Sequence, residues 1–184
     1  KAYAGAAGSY LTFPTTNLVK TSEVSAVFWM KVNANPDRAG VLTIGPEDKT
    51  NSGYPAVQNL RTNGFRFFRE GSATSQQFKV NVGTGTGESW NDGGLVDPTT
   101  GTWVHLAFTV SGAKSTIYIN GEVARESALT AINWSGCDIL SIMSGAPRFT
   151  EWNHLSDLSL MDELRIFNKA LTQAEIKTIY NAEK

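Results

Sequence analysis

The feature that most constrains this chain is the alternation of apolar and other side chains along many short segments. It is clearest in Val24–Val32 and in Thr102–Val110. A period of two places successive side chains on opposite faces of a β-strand, so both segments are predicted to bury one face in a core. The residues predicted to share a face are Val24, Ala26, Phe28, Met30 and Val32 in the first strand, and Val104, Leu106, Phe108 and Val110 in the second.

Further short segments of the same kind are separated by glycine, asparagine and proline, which favours many strands joined by turns. Asn120-Gly121 is the strongest hairpin signal, because a tight type I′ turn needs a positive φ at both central residues. Gly83–Gly101 is rich in Gly, Thr and Asp and is predicted to be a long loop. The remaining predicted strands are Ser9–Phe13, Val41–Ile44, Phe65–Glu70, Phe78–Val82, Ser115–Ile119, Glu122–Glu126, Ile139–Met143 and Ser159–Phe167.

One helix is predicted, at the C-terminus. Thr172 and Glu175 have the spacing of a capping box, in which each side chain satisfies a free backbone N–H at the helix start. Ile176, Ile179 and Tyr180 follow at helical spacing and form one apolar stripe. A run of strands with one terminal helix predicts an all-β fold with one short C-terminal helix and argues against nucleotide-binding α/β folds.

Length and charge limit the possible partners. The chain has 184 residues, which fits one domain spanning residues 1–184, and a formal net charge of −1. A nearly neutral chain has no field to gather nucleic acid, and its apolar runs are too short for membrane insertion. The N-terminal residues do not form a signal peptide, so we expect a mature or trimmed fragment whose targeting segment is absent.

Three segments in this order resemble a known family. The first is Gly5–Leu11 followed by Val24–Lys31, the second Gly101–Thr109 followed by Ile117–Gly121, and the third Met161–Thr172 followed by Glu175-Ile176. Together they resemble the laminin-G-like, or concanavalin A-like, jelly-roll domains of bacterial secreted and cell-surface proteins. The resemblance covers nearly the whole chain and implies a two-sheet antiparallel jelly roll.

The resemblance also implies a function. Such domains usually serve as lectin-like, carbohydrate-binding modules, so we expect an extracellular, non-catalytic module that binds a polysaccharide or oligosaccharide beside neighbouring domains of a larger chain. The alternatives are a structural or protein-interaction domain without sugar binding and, on the same architecture, a polysaccharide lyase or glycosidase. Fold alone does not choose among them.

Asp162 is the candidate metal ligand. By strand parity it shares the apolar face of Leu160, Leu164 and Ile166, where a carboxylate is costly unless it is paired or bound to a metal. In the resembling family this Asp commonly helps to hold a structural Ca²⁺ together with backbone oxygens from the start of the domain, which implies Gly5 as a second ligand. The alternative is an Asp satisfied by backbone N–H groups or an Arg, and Ala6-Ala7 stand where polar residues are frequent in the family.

Sugar recognition needs aromatic faces beside planar polar groups. The segment Gly145–His154 is long for its place between two strands and combines these groups, although its tryptophan could also pack under its own loop. A second polar, Gly-rich segment carries Trp90 and Asn91, and Arg66 could line a sheet face toward an acidic sugar or simply be solvated. The candidate ligand-binding residues of the long segment are Arg148, Glu151, Trp152, Asn153 and His154.

The sequence shows no recognisable catalytic set. A glycosidase on this architecture needs two acids that point the same way along a strand, whereas Asp162 and Glu163 are adjacent and point to opposite faces. A lyase would need a base beside Arg and Gln, for which His105, Arg66 and Gln58 are the available residues. We therefore expect no enzymatic activity.

Overall fold

The fold is a sandwich of two antiparallel sheets, as predicted. The computed structural model describes residues 1–18 and 20–184. The first sheet has six strands in the order β1-β13-β3-β9-β10-β11. Their bounds are β1 Tyr3–Ala4, β13 Leu160–Phe167, β3 Val24–Lys31, β9 Val104–Val110, β10 Lys114–Ile119 and β11 Glu122–Ala128.

The second sheet has seven strands, six of them in the order β2-β12-β4-β5-β6-β7, and β8 pairs with β6 beside them. Short 3₁₀ helices at Thr15–Asn17 and Pro98–Thr100 connect strands. This is the jelly-roll sandwich that the resemblance predicted, built from the strands that the alternating pattern predicted. The bounds are β2 Leu11–Pro14, β12 Ile139–Ile142, β4 Arg38–Gly45, β5 Phe65–Ser72, β6 Ser75–Gly83, β7 Glu88–Asn91 and β8 Leu95–Val96.

The core lies between the sheets and is formed by the predicted faces. Phe28 of β3 meets Phe67 of β5 edge to face, with ring centroids 5.8 Å apart, and Phe67 stacks on Phe108 of β9 at 5.1 Å. Both predicted apolar faces, in β3 and in β9, belong to this cluster. The period of two therefore predicted which side chains face the core, although most side chains on the other face of these strands are buried too.

The helix α1, Gln173–Glu183, packs on the outer face of the six-stranded sheet. Its capping box is formed as predicted: the Thr172 hydroxyl accepts from the Glu175 backbone N–H, and the Glu175 carboxylate accepts from the Thr172 N–H. Ile176 is fully buried against Val27 and Ala107, which lie on the outer side of β3 and β9. Among the described residues, no helix is long and apolar enough to cross a membrane.

The predicted loop Gly83–Gly101 was wrong in part, because it contains β7 and β8. These strands are short and carry Glu88, Trp90 and Asn91, which gives no clear alternation in the sequence. They form because the edge of β6 offers free backbone N–H and C=O groups. Asn81 of β6 pairs with Trp90, and Gln77 pairs with Leu95. Trp90 therefore lies on a strand and not on a loop.

The predicted parity of Asp162 was also wrong. The register of β13 against β3 shifts between Asp162 and Arg165, and Glu163 has a φ of 52° in this bulge. The extra residue turns the strand, so that Leu164 packs toward the core while Asp162 lies opposite Trp29, on the outer face. A bulge breaks the period of two and left no signal in the sequence pattern.

A buried ion pair fixes the long connection between β12 and β13. Arg69 and Asp157 both have fully buried side chains, and Nε and Nη2 of Arg69 donate to the two carboxylate oxygens at 2.7 and 3.1 Å. Arg69 Nη1 also donates to Gln76 and to the Pro36 carbonyl, while Asp157 accepts from the Ser159 N–H. The pair ties residues 143–159 to the end of β5.

Candidate functional site

Two long connections cover the outer face of the seven-stranded sheet: residues 46–64 between β4 and β5, and residues 143–159 between β12 and β13. Gly40 of β4 permits the second connection to approach closely, because a Cβ there would lie 2.0 Å from the Gly145 nitrogen. Phe68 of β5 lies beneath both Phe149 and His154, with ring centroids 5.3 and 4.6 Å away. Much of this sheet face is therefore covered by chain that has no regular structure.

Arg66 holds the first of these connections. Its side chain is buried on the outer side of β5, and its guanidinium donates to the backbone carbonyls of Asn63, at 2.8 Å, and of Leu60 and Arg61. Burial lowers its pKa to about 10, so the group is still charged at neutral pH. The structure thus places Arg66 beneath residues 60–63, where it positions Arg61.

Arg148 fixes the same two connections from the other side. It is buried, and Nη2 donates to Asp138 at 2.6 Å while Nη1 donates to the Gln58 side chain at 3.3 Å. Gln58 also exchanges hydrogen bonds with Thr150, N–H to hydroxyl and carbonyl to N–H. Arg148 lies inside the site's scaffold and does not line its open surface.

The two tryptophans predicted as separate candidates lie together. Trp90 projects from β7 on the outer face, and Trp152 comes from residues 143–159. Their ring centroids are 6.3 Å apart with planes inclined by 32°. Trp90 packs edge-on against Phe68, whereas Trp152 is 40% exposed. The pair gives an aromatic platform that is open to solvent and rests on a rigid sheet.

Arg61 completes this platform and was not predicted. Its guanidinium carbon lies 4.5 Å from the Trp152 ring centroid and 5.9 Å from that of Trp90. Nε and Nη2 donate to the two carboxylate oxygens of Glu88, at 2.7 and 3.1 Å, which orients the planar group. Arg61 stands in a segment without alternation or motif, so only the fold shows its role.

Carboxylates and amides surround the platform. Asn81 donates to Glu88 at 2.8 Å, and Asn59 donates to Glu151 at 2.5 Å. Burial raises the pKa of Glu88, but the hydrogen bonds from Arg61 and Asn81 outweigh it, and the net effect is a lowered pKa. The site is thus lined by oriented carboxylate acceptors next to amide groups, which suit sugar hydroxyls.

The outer face of β6, here called the groove, leads away from the platform at Asn81, which pairs with Trp90. Lys79 lies next to Asn81 on the same face and pairs with Glu70 at 2.6 Å and with Asp92 at 3.3 Å. Beyond it a pocket of about 490 Å³ is lined by Arg38, Glu70, Gly71, Ser75, Gln77 and Leu95. Gln77 and Asn81 are four residues apart in one strand, which corresponds to roughly 13 Å.

Three other residues predicted to bind a ligand do not belong to the tryptophan platform. His154 is buried, and its Nε2 lies 3.3 Å from Glu70. Burial lowers the pKa of His154 to about 4, although the neighbouring Glu70 raises it in part. Asn91 points between the sheets and donates to the carbonyls of Ser115 and Arg125. Asn153 is exposed at a turn, with a φ of 60° and its N–H donating to the Thr150 carbonyl. Of these three residues, Asn153 alone is exposed to solvent.

The predicted metal ligands do not meet. In the register of β1 with β13, Ala4 pairs with Leu160, and the Gly5 N–H donates to the Ser159 carbonyl. Gly5 is thus three positions from Asp162, roughly 10 Å along the strand. One Asp162 oxygen accepts from the Glu163 N–H. The described residues contain no group of three His, Cys, Asp or Glu side chains fit for a metal, and these two residues do not form one site, so the structural calcium ion stays a prediction.

The structure also separates the residues considered for a lyase. Gln58 and Arg66 belong to the covered face of the seven-stranded sheet. His105 of β9 lies on the outer face of the other sheet, between Trp29 and Tyr180. The three side chains lie on opposite sides of the sandwich and cannot act on one substrate.

Known structures share this architecture. Domain 4 of AbnA, a GH43 extracellular arabinanase from Geobacillus stearothermophilus solved in complex with arabinotriose, superposes with a TM-score of 0.64 and 20% identity over 97% of this chain and 76% of that one. A heptameric SAP-like pentraxin from Limulus polyphemus gives a TM-score of 0.65 and 12% identity over 99% and 81%. At these identities the likeness concerns the fold.

A third neighbour is larger. The ligand-binding domain of botulinum neurotoxin serotype D, solved in complex with N-acetylneuraminic acid, gives a TM-score of 0.63 and 11% identity over 98% of this chain. This chain spans 41% of that domain's length. No curated protein matches the sequence significantly.

The family is established by the sequence itself together with the fold. The model of the concanavalin A-like lectin/glucanases superfamily matches residues 5–177, nearly the whole chain. The two antiparallel sheets and the capped terminal helix agree with it. This chain is therefore a member of the concanavalin A-like lectin/glucanase superfamily.

Proposed function

We propose that this chain is a non-catalytic carbohydrate-binding domain of a larger extracellular protein, and that its site is the groove on the outer face of the seven-stranded sheet. The observation that carries the proposal is the Trp90–Trp152 platform, with Arg61 held over it at 4.5 Å from the Trp152 ring. Aromatic faces accept the C–H side of a sugar ring, and the flanking Glu88, Asn59 and Glu151 accept or donate hydrogen bonds to its hydroxyls.

The length of the groove favours a chain of sugars over a single residue. The platform and the pocket around Gln77 and Leu95 are roughly 13 Å apart on one sheet face, which leaves room for several sugar units. The groove between them is polar, with Lys79, Glu70 and Asp92 at its centre. We therefore propose an oligosaccharide or an internal stretch of polysaccharide as the ligand.

The acids of the groove support binding without catalysis. A glycosidase needs a general acid whose pKa is raised. Burial raises the pKa of Glu70, but the Lys79 ammonium and His154 outweigh it and lower it overall. The pKa of Glu88 is lowered as well. Glu70 and Glu88 thus have shifts opposite to the one that an acid catalyst requires.

The proposal is tested by affinity gel electrophoresis of the folded domain in a panel of soluble polysaccharides. Arabinan is included because the Geobacillus domain was solved with arabinotriose. We expect at least one polysaccharide to retard migration and Trp152→Ala to weaken binding roughly tenfold or more. A parallel series with calcium and with chelator, followed by thermal unfolding, tests the structural calcium ion.

Phe13→Ala is the matched control, because Phe13 is an exposed aromatic side chain too, at 49% against 40% for Trp152, but lies on β2, at the opposite edge of the sheet from Trp90. It should leave the retardation unchanged. Folded protein that no polysaccharide retards would refute the proposal, and so would retardation that is lost in Phe13→Ala and kept in Trp152→Ala.

A protein-interaction role is the second candidate, and one observation favours it. All four residues of the edge strand β2 are exposed, and Leu11 and Phe13 expose 40% and 49% of their surface. Exposed apolar side chains on a sheet edge are suited to contact with a neighbouring domain. This role is compatible with sugar binding, since β2 lies at the opposite edge of the sheet from Trp90.

A further inference from the structure

A second pocket lies on the outer face of the six-stranded sheet, beyond the C-terminal end of α1. It has a volume of about 400 Å³, within the range of small-ligand sites. Its two tryptophans come from β3 and from the residue before β9, and its acids come from the β13 bulge and from α1. The lining residues are Trp29, Trp103, Asp162, Glu163, Glu183 and Lys184.

The aromatic part of the pocket is held in place. Trp29 Nε1 donates to Glu183 Oε2 at 3.0 Å, and the Trp29 ring lies 5.7 Å from that of Tyr180. Trp103 is 39% exposed and comes directly before Val104, which pairs with Met30 of the neighbouring strand. One ring is therefore a fixed wall, and the other offers an open face to a ligand.

The charge of the pocket is concentrated on one carboxylate. Arg165 pairs with Glu163 at 2.9 Å and also with Glu183, so these two acids have a cationic partner. Asp162 makes no ion pair with any residue that the structure describes. One of its oxygens accepts from the Glu163 N–H, which leaves acceptor capacity on the carboxylate for a ligand.

The backbone aims this carboxylate at the pocket. Glu163 has a φ of 52°, a left-handed conformation that costs a non-glycine residue free energy and that belongs to the bulge of β13. Without the bulge, Asp162 would share the inward face of Leu164. With it, Asp162 lies across from Trp29 and lines the pocket.

We propose that this pocket is a second saccharide site that selects an amino sugar. The open face of Trp103 stacks on the sugar ring, and Asp162 pairs with the sugar's ammonium group. The lysine of the lining has a partner of its own, because Lys184 Nζ lies 5.3 Å from the Tyr180 ring centroid. Three carboxylates and one lysine line the pocket, which disfavours an acidic sugar. The site is on the opposite face from the Trp152 platform and does not depend on it.

The test compares two disaccharides of the same size. The glucosamine dimer carries ammonium groups, and its N-acetylated form is neutral. Each is titrated into the folded domain and followed by calorimetry at low salt. We expect binding of the glucosamine dimer alone, weakened about tenfold or more by Asp162→Asn and by Trp103→Ala, and unchanged by Trp152→Ala. Asp162→Asn removes the charge without changing the shape, and thermal unfolding confirms that each variant is folded.

Several results would overturn this inference. They are equal affinity for the two dimers, an affinity that Asp162→Asn does not change, no binding of either dimer, or loss of binding in Trp152→Ala. Lysine amide that binds as tightly as the glucosamine dimer would show that the sugar ring contributes nothing, and would overturn the saccharide part. None of these results bears on the retardation by polysaccharides, which is read out at Trp152.

Discussion

The outer faces of the two sheets are covered in different ways. On the six-stranded sheet a single helix lies over Val27 and Ala107 and needs an apolar stripe and one cap to stay there. On the seven-stranded sheet, residues 46–64 and 143–159 cover the strands without regular structure. Their backbone groups have no ladder of their own, so buried side chains such as Arg66 must bond to them.

This difference explains where the candidate site lies. A helix satisfies its own backbone and presents few polar groups to its neighbours. Irregular chain packed on a sheet brings charged and amide side chains with it, and these orient one another beside the tryptophans, Arg61 with Glu88 and Asn59 with Glu151. Residues 46–64 and 143–159, which we call the irregular cover, are thus both the scaffold and the candidate site. The helix α1 is the helical cover of the other sheet.

The largest expected effect is on the irregular cover. Arg69→Met leaves the buried carboxylate of Asp157 without a counter-charge, which should lower the free energy of unfolding by about 3–5 kcal/mol. Urea denaturation measures it. In a double-mutant cycle with Asp157→Leu we expect a coupling of roughly 2 kcal/mol or more. A loss below roughly 1 kcal/mol in the single variant would show that this pair does not anchor the connection.

The next effect is a pH dependence of the same cover. Burial lowers the pKa of His154 from 6.5 to about 4, so the folded protein keeps the ring neutral. Below pH 6.5 the unfolded chain binds a proton that the folded protein does not bind. The stability that the neutral His154 ring contributes is therefore fully present above pH 6.5. As the pH drops toward 4, the free energy of unfolding falls by up to roughly 3 kcal/mol.

The measurement is urea denaturation from pH 7.5 to 4.5 for the wild type and for His154→Gln. The variant should lose stability less steeply. His105 contributes in the same direction, because burial lowers its pKa too, so the difference between the two proteins is the quantity to compare. Parallel curves for the two proteins would refute a buried neutral His154.

The smallest effect is on the helical cover. Thr172→Ala removes the hydroxyl that accepts from the Glu175 N–H and should cost about 1 kcal/mol, with no change in polysaccharide retardation. Thr178→Ala is the control on the same helix, since its hydroxyl bonds only back to Ala174 and alanine is the better helix former. Altered retardation in Thr172→Ala would show that the two covers are coupled.

The regular parts of the fold could be predicted from local pattern. Alternation in β3 and β9 identified the core faces, and Thr172 with Glu175 identified the helix start. β7 and β8 could not be predicted, because they exist through pairing with the edge of β6. The bulge at Glu163 could not be predicted either, and it reversed the face of Asp162.

The site was predicted in pieces. Trp152 and Trp90 were each recognised as aromatic side chains in polar segments, 62 positions apart in the sequence, without any sign that they meet. Arg66 and His154 were recognised by residue type, but they are buried beneath the cover and fix it. Arg61 gave no signal, because its role depends on Glu88 and Trp152 being beside it.

The sequence by itself determined the strands, their core faces and the capped helix, because the period of two and the capping box are local patterns, and its resemblance to a known family implied the two-sheet sandwich. The tertiary structure alone decided that Trp90, Trp152 and Arg61 form one platform and that Asp162 faces a second pocket. Both outcomes depend on how distant segments pair and pack, which leaves no periodic mark on the chain.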